Sequence, residues 1–293
     1  MISVIIPVYN SEQFLRELFN SIEEQTIEFH YFEIIFVDNM STDQSPFLIN
    51  EFINRNEAIN ASYYRYSEKA SSYAARNYGV RKSAGDILAF TDSDCILHKD
   101  WINNIYNEFM GRDDLIISGN IELFLDDKKN IWENFDKIVH MRNDLRIKNK
   151  QIATANMAVR KKTFLKIGFF SEVKSGGDFS WAEKAASLNI VIFYKQNIIV
   201  FHPSRKSYQE IRKKLNRLAY GEGQLYRESD KSIISGIFKG VLRLIYFPKH
   251  IYISKKMLIN IAFVKVVKFN IIYLYLKYQQ IFYFVKGYGG ENE

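Results

Sequence analysis

The sequence predicts an α/β protein with a doubly wound, mainly parallel sheet and helices on both faces. The first observation is a set of short, continuously apolar runs at residues 4–6, 34–37 and 87–90, which are typical of strands buried on both faces. The second is that stretches with apolar residues at helical spacing separate these runs. Strands and helices therefore alternate along the first 110 residues.

The elements follow in order from this pattern. The first strand occupies residues 4–6 and ends at Pro7, and Ser11 is placed to cap an amphipathic helix over 12–24. The strand at 34–37 leads into a turn-rich stretch. The next elements are a helix at 45–54, a strand at 62–66, a helix at 70–83, the strand at 87–90 and a helix at 98–110.

Beyond Trp101 the pattern changes to a mixed sheet with helices. Strands are predicted at 115–124 and 154–159, and helices at 131–147 and 179–188. A further apolar run, 198–201, precedes His202.

Composition narrows the class of protein. The 293 residues are 47% hydrophobic and 25% charged, which excludes a disordered or fibrous chain. The single cysteine, Cys95, excludes a disulfide framework and a zinc site built from cysteines. The opening residues lack a basic stretch and a cleavage site, so no targeting segment is expected.

Polar residues follow three of the apolar strands. In an open parallel sheet, ligands bind outside the carboxyl ends of the strands. Pro7 to Asn10, Asp38, and Thr91 to Asp94 occupy those positions, so we expect them along one edge. This convergence predicts a functional site.

Asp92 and Asp94 allow two interpretations. If the backbone stays extended, both carboxylates point to the same side and suit a hard cation such as Mg²⁺ or Mn²⁺. Alternatively, the pair forms a solvated turn that caps the following helix. Asp38 is likewise either a turn residue or an acceptor for a nucleobase. Arg76 forms either an exposed ion pair or a contact with a base or diphosphate.

Several ordered motifs resemble those of family 2 glycosyltransferases, which have the GT-A fold. The resemblance covers residues 1 to about 205. The motifs are Val-Ile-Ile-Pro-Val-Tyr-Asn at 4–10, Val-Asp-Asn-Met-Ser-Thr-Asp at 37–43, Ala-Arg-Asn-Tyr-Gly at 75–79, Ala-Gly-Asp-Ile-Leu-Ala-Phe-Thr-Asp-Ser-Asp at 84–94, Ala-Asn-Met-Ala-Val-Arg at 155–160 and Gly-Phe-Phe-Ser-Glu at 168–172.

The resemblance implies an inverting transfer of a sugar from a nucleoside-diphosphate donor, assisted by Mn²⁺ or Mg²⁺. Asp94 would bind the metal, with His202 as a further metal ligand, and Asp178 would be the catalytic base. The residues that would hold the nucleotide sugar are Pro7, Tyr9, Asp38, Arg76, Asp92 and Ser93.

Two departures from the family pattern qualify this reading. Gly177 stands where the family often has an acid before the base, and Asp178 itself also suits a helix N-cap. We expect partial burial beside Trp181 to raise the pKa of Asp178. The Gln-x-x-Arg-Trp motif of the processive synthases is missing from the sequence, which favours single additions over polymer synthesis.

The C-terminal part differs in charge. Residues 1–200 carry 23 basic and 27 acidic side chains, whereas 231–290 carry ten Lys or Arg and no acid. We expect a glycosyltransferase domain at 1–205 and a helical, basic and aromatic region at 206–293. A capping box at 207–210 begins its first helix, and Pro248 ends a second segment at 231–247. The lysines of a third segment, 255–286, jump between opposite faces, so we expect it to be broken or wedged between protein and lipid.

This tail favours docking on an anionic membrane surface, and a homo-oligomer interface is the competing interpretation. Its aliphatic content argues against nucleic acid. No stretch is apolar enough for a transmembrane span. The expected protein is cytoplasmic, peripheral to the inner face of the cell membrane, and acts on a glycan or lipid-linked acceptor in surface polysaccharide or glycolipid assembly. The alternatives are a sugar-nucleotide nucleotidyltransferase and an inactive scaffold of the same fold.

Overall fold

The computed structural model describes residues 1–112, 115–140, 142–245, 253–259 and 261–290. The strands are β1 (Ile2–Val8), β2 (Phe32–Asp38), β3 (Ala61–Arg65), β4 (Ile87–Thr91), β5 (Ile96–Leu97), β6 (Ile116–Phe124), β7 (Asn156–Arg160) and β8 (Ile192–Pro203). The helices are α1 (Glu12–Glu23), α2 (Ser45–Arg55), α3 (Ser72–Lys82), α4 (Trp101–Phe109), α5 (Ile131–Val139), α6 (Asn143–Arg146), α7 (Lys161–Ile167), α8 (Gly177–Ser187), α9 (Tyr208–Glu228), α10 (Ile233–Ile245), α11 (residues 253–257) and α12 (Phe263–Gly289).

One eight-stranded sheet has the order β3-β2-β1-β4-β7-β6-β8-β5. The first four strands in this order pair in parallel, and every residue of β1, β2 and β4 is buried. The pairings of β4 with β7, β7 with β6 and β8 with β5 are antiparallel. The predicted fold class is therefore confirmed, including the change to a mixed sheet beyond Trp101.

Two local predictions near the start of the chain were wrong. The first strand continues past Pro7 to Val8, and β1 pairs with β4 only as far as Ile5, so the missing N–H of proline is tolerated there. Ser11 does precede α1, but its side chain makes no capping hydrogen bond. Its hydroxyl instead lies 2.7 Å from the hydroxyl of Ser93.

One long helical prediction was wrong and another was confirmed. The helix predicted over 131–147 ends at Val139, because His140 has an extended backbone, and α6 follows as a separate short helix. The segment at 255–286 is broken, as expected, since the helical residues 253–257 end before the helix α12 begins at Phe263. Pro248, which was predicted to end the second C-terminal segment, lies outside the described residues.

The chain divides into two compact units. The first comprises Met1–Glu122, Asn143–Glu172 and Asp178–His202, and it contains most of the sheet. The second comprises Leu123–Arg142, Val173–Gly177 and Pro203–Glu293. The role predicted for residues 206–293 stays a prediction.

The second unit has its own apolar core, to which α5, α9, α11 and α12 contribute. Phe135 of α5 is fully buried against Phe269 and Tyr273 of α12, with ring centroids 5.0 Å away in each case. The capping box at the start of α9 is confirmed, because the Glu210 backbone N–H donates to the Ser207 hydroxyl and the Ser207 hydroxyl donates to the Glu210 carboxylate. Among the described residues, no helix is both long enough and apolar enough to cross a bilayer.

Candidate active site

The carboxyl ends of β1, β2 and β4 meet at one edge of the sheet, as predicted. Val8 pairs with Asp38 in parallel register, and the backbone N–H of Asn39 donates to the Val8 carbonyl at 2.8 Å. Because β4 is parallel to β1, Asp92 follows at the same edge. Predicted donor-site residues from three distant stretches of chain thus end up along one rim.

Asp38 is fully buried and has partners on both carboxylate oxygens. The backbone N–H of Ser41 donates to Oδ1 at 3.1 Å, which is the local turn contact anticipated for this residue. The Tyr63 hydroxyl donates to Oδ2 at 3.3 Å, and the Arg65 guanidinium lies 4.0 Å from the same oxygen. The turn role of Asp38 is therefore present in the structure.

Asp92 and Asp94 do not lie on an extended backbone. The Cys95 N–H donates to the Asp92 carbonyl at 3.1 Å, which closes a turn at this point. The predicted alternation of side chains was therefore wrong. Capping of the following helix was also wrong, because α4 begins after Asp100 and has no side-chain cap.

The turn nevertheless gathers three groups that bind metals. Asp92, Asp94 and His202 each offer a ligand atom, and these atoms all lie within 4.8 Å of one another. The Asp94 Oδ2 atom is 3.4 Å from His202 Nε2, and His202 is buried at the end of β8. Two opposite ligands of one Mg²⁺ are about 4.2 Å apart. Two carboxylates and an imidazole are ligands that Mg²⁺ and Mn²⁺ accept, so this set of donors suits a divalent cation.

Arg76 is buried, with 4% of its surface exposed, and it forms an ion pair with Asp92. The exposed ion pair considered from the sequence is therefore a buried one. The guanidinium also lies 5.5 Å from the centre of the Tyr73 ring. The Arg76 Nε–H has no hydrogen-bond acceptor among the described residues, although it is buried. A buried donor of this kind needs an explanation, and an acceptor on a bound ligand would supply one.

The other predicted donor-site residues differ in exposure. Pro7 is buried within β1, whereas Tyr9 is 63% exposed. Ser93 is buried, and its hydroxyl is held by Ser11. Tyr9 is thus the predicted donor-site side chain with the most surface available for stacking on a ligand.

Asp178 lies in the first turn of α8 and is 7% exposed. The Tyr73 hydroxyl donates to its Oδ1 at 2.8 Å, and the backbone N–H of Thr154 donates to its Oδ2 at 3.3 Å. Its Oδ1 also accepts the N–H of Phe179 at 3.0 Å. The carboxylate is held in a defined orientation from both oxygens.

Burial raises the pKa of Asp178, as the sequence predicted. The Tyr73 hydrogen bond and the charges of Arg146 and Arg76 lower it again, but desolvation outweighs them. Burial also raises the pKa of Tyr73, so its hydroxyl keeps its proton and stays a donor. Trp181 is fully buried in the same helix, and its indole N–H donates to the Gly168 carbonyl at 2.7 Å.

Sequence reasoning missed Tyr73, Arg146 and Thr154. Tyr73 lies three residues before Arg76, so both occupy one face of α3, and this spacing was the available signal. Arg146 lies in the short helix α6, and its guanidinium stacks 4.9 Å from the Phe179 ring centre. Burial lowers the pKa of Arg146 although the Asp178 charge opposes that shift.

Comparison with solved structures identifies the fold. A mannosyltransferase from Pyrobaculum calidifontis, PcManGT, solved with GDP-Man and Mn²⁺, superimposes with a TM-score of 0.67 at 14% identity, covering 99% of this chain and 88% of that chain. The 1–349 fragment of Staphylococcus aureus TarS, solved with UDP-GlcNAc, gives a TM-score of 0.58 at 17% identity, covering 99% and 90%. The fold is that of the GT-A glycosyltransferases.

Sequence comparison identifies the family. The model of "Glycosyl transferase family 2" matches residues 3–169. The glycosyltransferase AglE of Haloferax volcanii is 30% identical over 227 residues, which cover 77% of this chain and 74% of AglE. The chain belongs to glycosyl transferase family 2.

Other curated relatives are matched over a smaller part of their length. The poly(ribitol-phosphate) β-N-acetylglucosaminyltransferase TarS of Staphylococcus aureus is 30% identical over 103 residues, which cover 35% of this chain and 18% of TarS. The chain therefore spans less than a fifth of that relative.

Proposed function

We propose that this protein is a metal-dependent, inverting and non-processive glycosyltransferase. It moves a sugar from a nucleoside diphosphate, with UDP-sugar as the first choice, to a glycan or lipid-linked acceptor in surface polysaccharide or glycolipid biosynthesis. The observation that carries this proposal is the convergence of Asp92, Asp94 and His202 at the carboxyl edge of the sheet in a family 2 chain.

The donor nucleotide would lie along the rim formed by the ends of β1, β2 and β4. Tyr9 offers an exposed ring, Asp38 a buried carboxylate, and Arg76 the buried Nε–H that lacks an acceptor among the described residues. Pro7 and Ser93, which are both buried, would form part of the same rim. UDP is supported by the TarS structure, whereas PcManGT was solved with GDP-Man, so both nucleotides belong in the test.

A divalent cation would be held by Asp94 and His202, beside Asp92. Carboxylate oxygens suit both Mg²⁺ and Mn²⁺, and the imidazole of His202 favours Mn²⁺ of the two. When bound, the ion supplies positive charge that stabilises the leaving diphosphate. Arg76 would add a second positive charge, although its guanidinium also forms an ion pair with Asp92.

Asp178 would take the proton of the acceptor hydroxyl as the new glycosidic bond forms. Inversion requires such a base on the face opposite the leaving group. Its raised pKa makes it a stronger base than an exposed aspartate, whose pKa is about 3.9. The Tyr73 hydroxyl and the Thr154 N–H keep the carboxylate oriented while it accepts the proton.

The acceptor and the location of the enzyme complete the proposal. A lipid-linked acceptor would be reached from the cytoplasmic face of the membrane, with the protein attached peripherally by residues 206–293. A second copy of the chain is the other partner considered for that region.

Thermal-shift measurements with sugar nucleotides, with and without Mn²⁺, test the donor site directly. We expect UDP or a UDP-sugar to raise the melting temperature more in the presence of Mn²⁺, and Asp94→Asn to remove that metal-dependent increment. Asp100→Asn, which makes the same charge change outside the predicted site, is the control. Equal stabilisation of wild type and Asp94→Asn by every nucleotide and metal would refute the site.

A further inference from the structure

The helix α12 belongs to the second unit and buries one of its faces inside that unit. Val266, Phe269, Tyr273, Leu276 and Phe284 are each at most 5% exposed. Two glycines bring its backbone close to α9, since a Cβ atom on Gly287 would lie 2.0 Å from the Tyr220 carbonyl oxygen. A Cβ atom on Gly223 would lie 2.1 Å from the Phe284 carbonyl oxygen. Because the two backbones approach this closely, the side of α12 that carries Gly287 faces α9. The opposite side of α12 is therefore turned away from α9.

The face turned away is apolar along the whole helix. At 3.6 residues per turn, nine of its exposed apolar side chains share an arc of about 120° and extend over about 33 Å, whereas the exposed Ile272 lies outside that arc. Exposure reaches 68% at Phe263, 67% at Ile271 and 65% at Tyr278. The members are Phe263, Val264, Val267, Ile271, Leu274, Tyr275, Tyr278, Phe282 and Val285. We call this set the apolar face of α12.

Lysines border this face. On the helical projection Lys268 and Lys286 fall just beyond one edge, and Lys277 falls beyond the other. Long lysine side chains reach outward from such borders while their stems cover apolar surface. Residues 231–290 contain no acid, and Glu222 of α9 is the acid that lies 3.8 Å from Lys239 and lines one cavity with Lys277.

A second exposed apolar stripe lies on α10. Its members are Ile234, Phe238, Val241 and Leu242, which are between 42% and 75% exposed. The helix packs on α12, because a Cβ atom on Gly236 would lie 2.0 Å from the Phe284 ring and one on Gly240 would lie 3.1 Å from Ile281. On the helical projection this stripe lies opposite Gly236 and Gly240, so it points away from α12 and is not part of the apolar face of α12.

We infer that the apolar face of α12 binds the surface of an anionic lipid bilayer, with α12 lying in the plane of the interface. Charge decides between a bilayer and a second copy of the chain. A two-fold symmetric contact would bring Lys268 and Lys286 of the two copies together, and residues 231–290 supply no acid to offset their repulsion. Anionic headgroups supply the missing negative charge, worth about 1 kcal/mol per lysine near the surface.

The residue types agree with this occupant. Phe263, Tyr275, Tyr278 and Phe282 place aromatic rings along the face, and such rings favour the membrane interface. Since the opposite face is packed against α9, lipid contacts only one side of the helix. The inference deepens the peripheral attachment in the proposed function and would give a lipid-linked acceptor access to the enzyme.

Co-sedimentation of the full-length protein with vesicles tests the inference. We expect binding to phosphatidylcholine vesicles that contain phosphatidylglycerol and much weaker binding to phosphatidylcholine alone. The double variant Ile271→Glu, Tyr278→Glu should bind anionic vesicles roughly tenfold more weakly or worse, because both side chains leave the lipid and two negative charges oppose it. The matched control is Phe47→Glu, Leu165→Glu, in which two exposed apolar residues of the first unit make the same change.

Two further readouts keep the outcomes distinct. Circular dichroism and UDP-dependent thermal shift should match the wild type in both double variants, so that a loss of vesicle binding reflects the surface alone. A milder variant, Ile271→Ser, should give a smaller loss in the same direction. Failure of the wild type to bind anionic vesicles, equal binding by both double variants, or a dimer that the α12 variant alone dissociates would overturn the inference. Transfer to a soluble acceptor would persist in each of those cases if the proposed function is right.

Discussion

Asp178 and Asp136 are both removed from solvent, at 7% and 0% exposure, yet their surroundings shift their pKa values in opposite directions. Asp178, in the first unit, keeps a raised pKa because desolvation outweighs its hydrogen bonds and nearby cations. Asp136, in the second unit, has its pKa held well below the usual range. Burial alone would raise it, but Lys214, His140 and Arg205 together outweigh that effect.

The contacts around Asp136 explain the difference. Arg205 Nη1 lies 3.0 Å from Oδ2, Lys214 Nζ lies 3.5 Å from Oδ1, and His140 Nδ1 lies 2.6 Å from Oδ1. Burial, followed by the Lys214 charge, lowers the pKa of His140 to about 3, so the imidazole is neutral at neutral pH. An ionised carboxylate only accepts hydrogen bonds, so His140 donates from Nδ1.

Asp136 is therefore a permanent anion, whereas Asp178 has a raised affinity for a proton. Lysine and arginine charges close to a buried carboxylate keep it ionised and make it a structural element. A buried carboxylate held mainly by a neutral hydroxyl and a backbone N–H stays oriented but retains affinity for a proton. The following variants test this distinction, from the largest expected effect to the smallest.

Asp178→Asn should lower the transfer rate by about 10² to 10⁴-fold, because the amide cannot accept the acceptor's proton. Donor binding, measured by calorimetry with UDP, should change little. The folded-state pKa of Asp178 lies above its unfolded value, so the folded state loses stability as pH rises through that interval. The melting temperature at neutral pH should therefore stay the same or rise. Unchanged turnover would disprove the assignment of the base.

Asp136→Asn should lower the free energy of unfolding by about 3–5 kcal/mol at neutral pH, because Lys214 and Arg205 lose their buried counter-charge. Urea unfolding monitored by circular dichroism measures this loss. Asp126→Asn is the control, since Asp126 pairs with Lys206 on the surface, where both are more than half exposed, and should cost less than about 1 kcal/mol. Equal losses in the two variants would contradict the structural role of Asp136.

Acid should weaken the same cluster in the wild type. A depressed folded-state pKa contributes stability above the unfolded value of about 3.9, and that contribution is lost as pH falls below it. In Asp136→Asn the free energy of unfolding should therefore fall less steeply below about pH 5, where the unfolded chain begins to protonate its aspartates. A variant and wild type with parallel pH dependence would argue against Asp136 as an ionised group.

Tyr73→Phe should shift the acid limb of the pH profile of kcat/KM upward by about one unit, since the hydroxyl hydrogen bond stabilises the ionised carboxylate. Tyr66→Phe is the control, because Tyr66 is also buried but its hydroxyl lies 3.5 Å from Glu68 rather than near Asp178. A profile that keeps its acid limb while only KM rises would indicate a structural role for Tyr73.

Local patterns predicted the features that depend on short stretches of chain. The apolar runs predicted the parallel strands and the polar residues at their ends. At Asp92 and Asp94 the structure has a turn in place of the extended backbone considered from the sequence. Tyr73 and Asp178 are 105 positions apart, so no local pattern records their hydrogen bond. The break expected in the segment 255–286 is present, because the helical residues end at 257 and α12 begins at Phe263.

The cluster around Asp136 shows another limit. In the sequence, Asp136, His140 and Lys214 resemble ordinary polar positions of amphipathic helices, and Arg205 lies in a basic stretch. Their burial depends on how α5 and α9 pack within the second unit. The direction of a pKa shift depends on such packing and is not available from spacing alone.

Carbon-13 NMR titration of the aspartate carboxyl groups, with signals assigned from Asp178→Asn and Asp136→Asn, tests the distinction most directly. We expect the pKa of Asp178 to lie above the ordinary aspartate value of about 3.9. We expect Asp136 to stay ionised at every pH at which the protein remains folded. A pKa of Asp178 below about 3.9, or a pKa of Asp136 above it, would contradict the opposite roles of the two carboxylates.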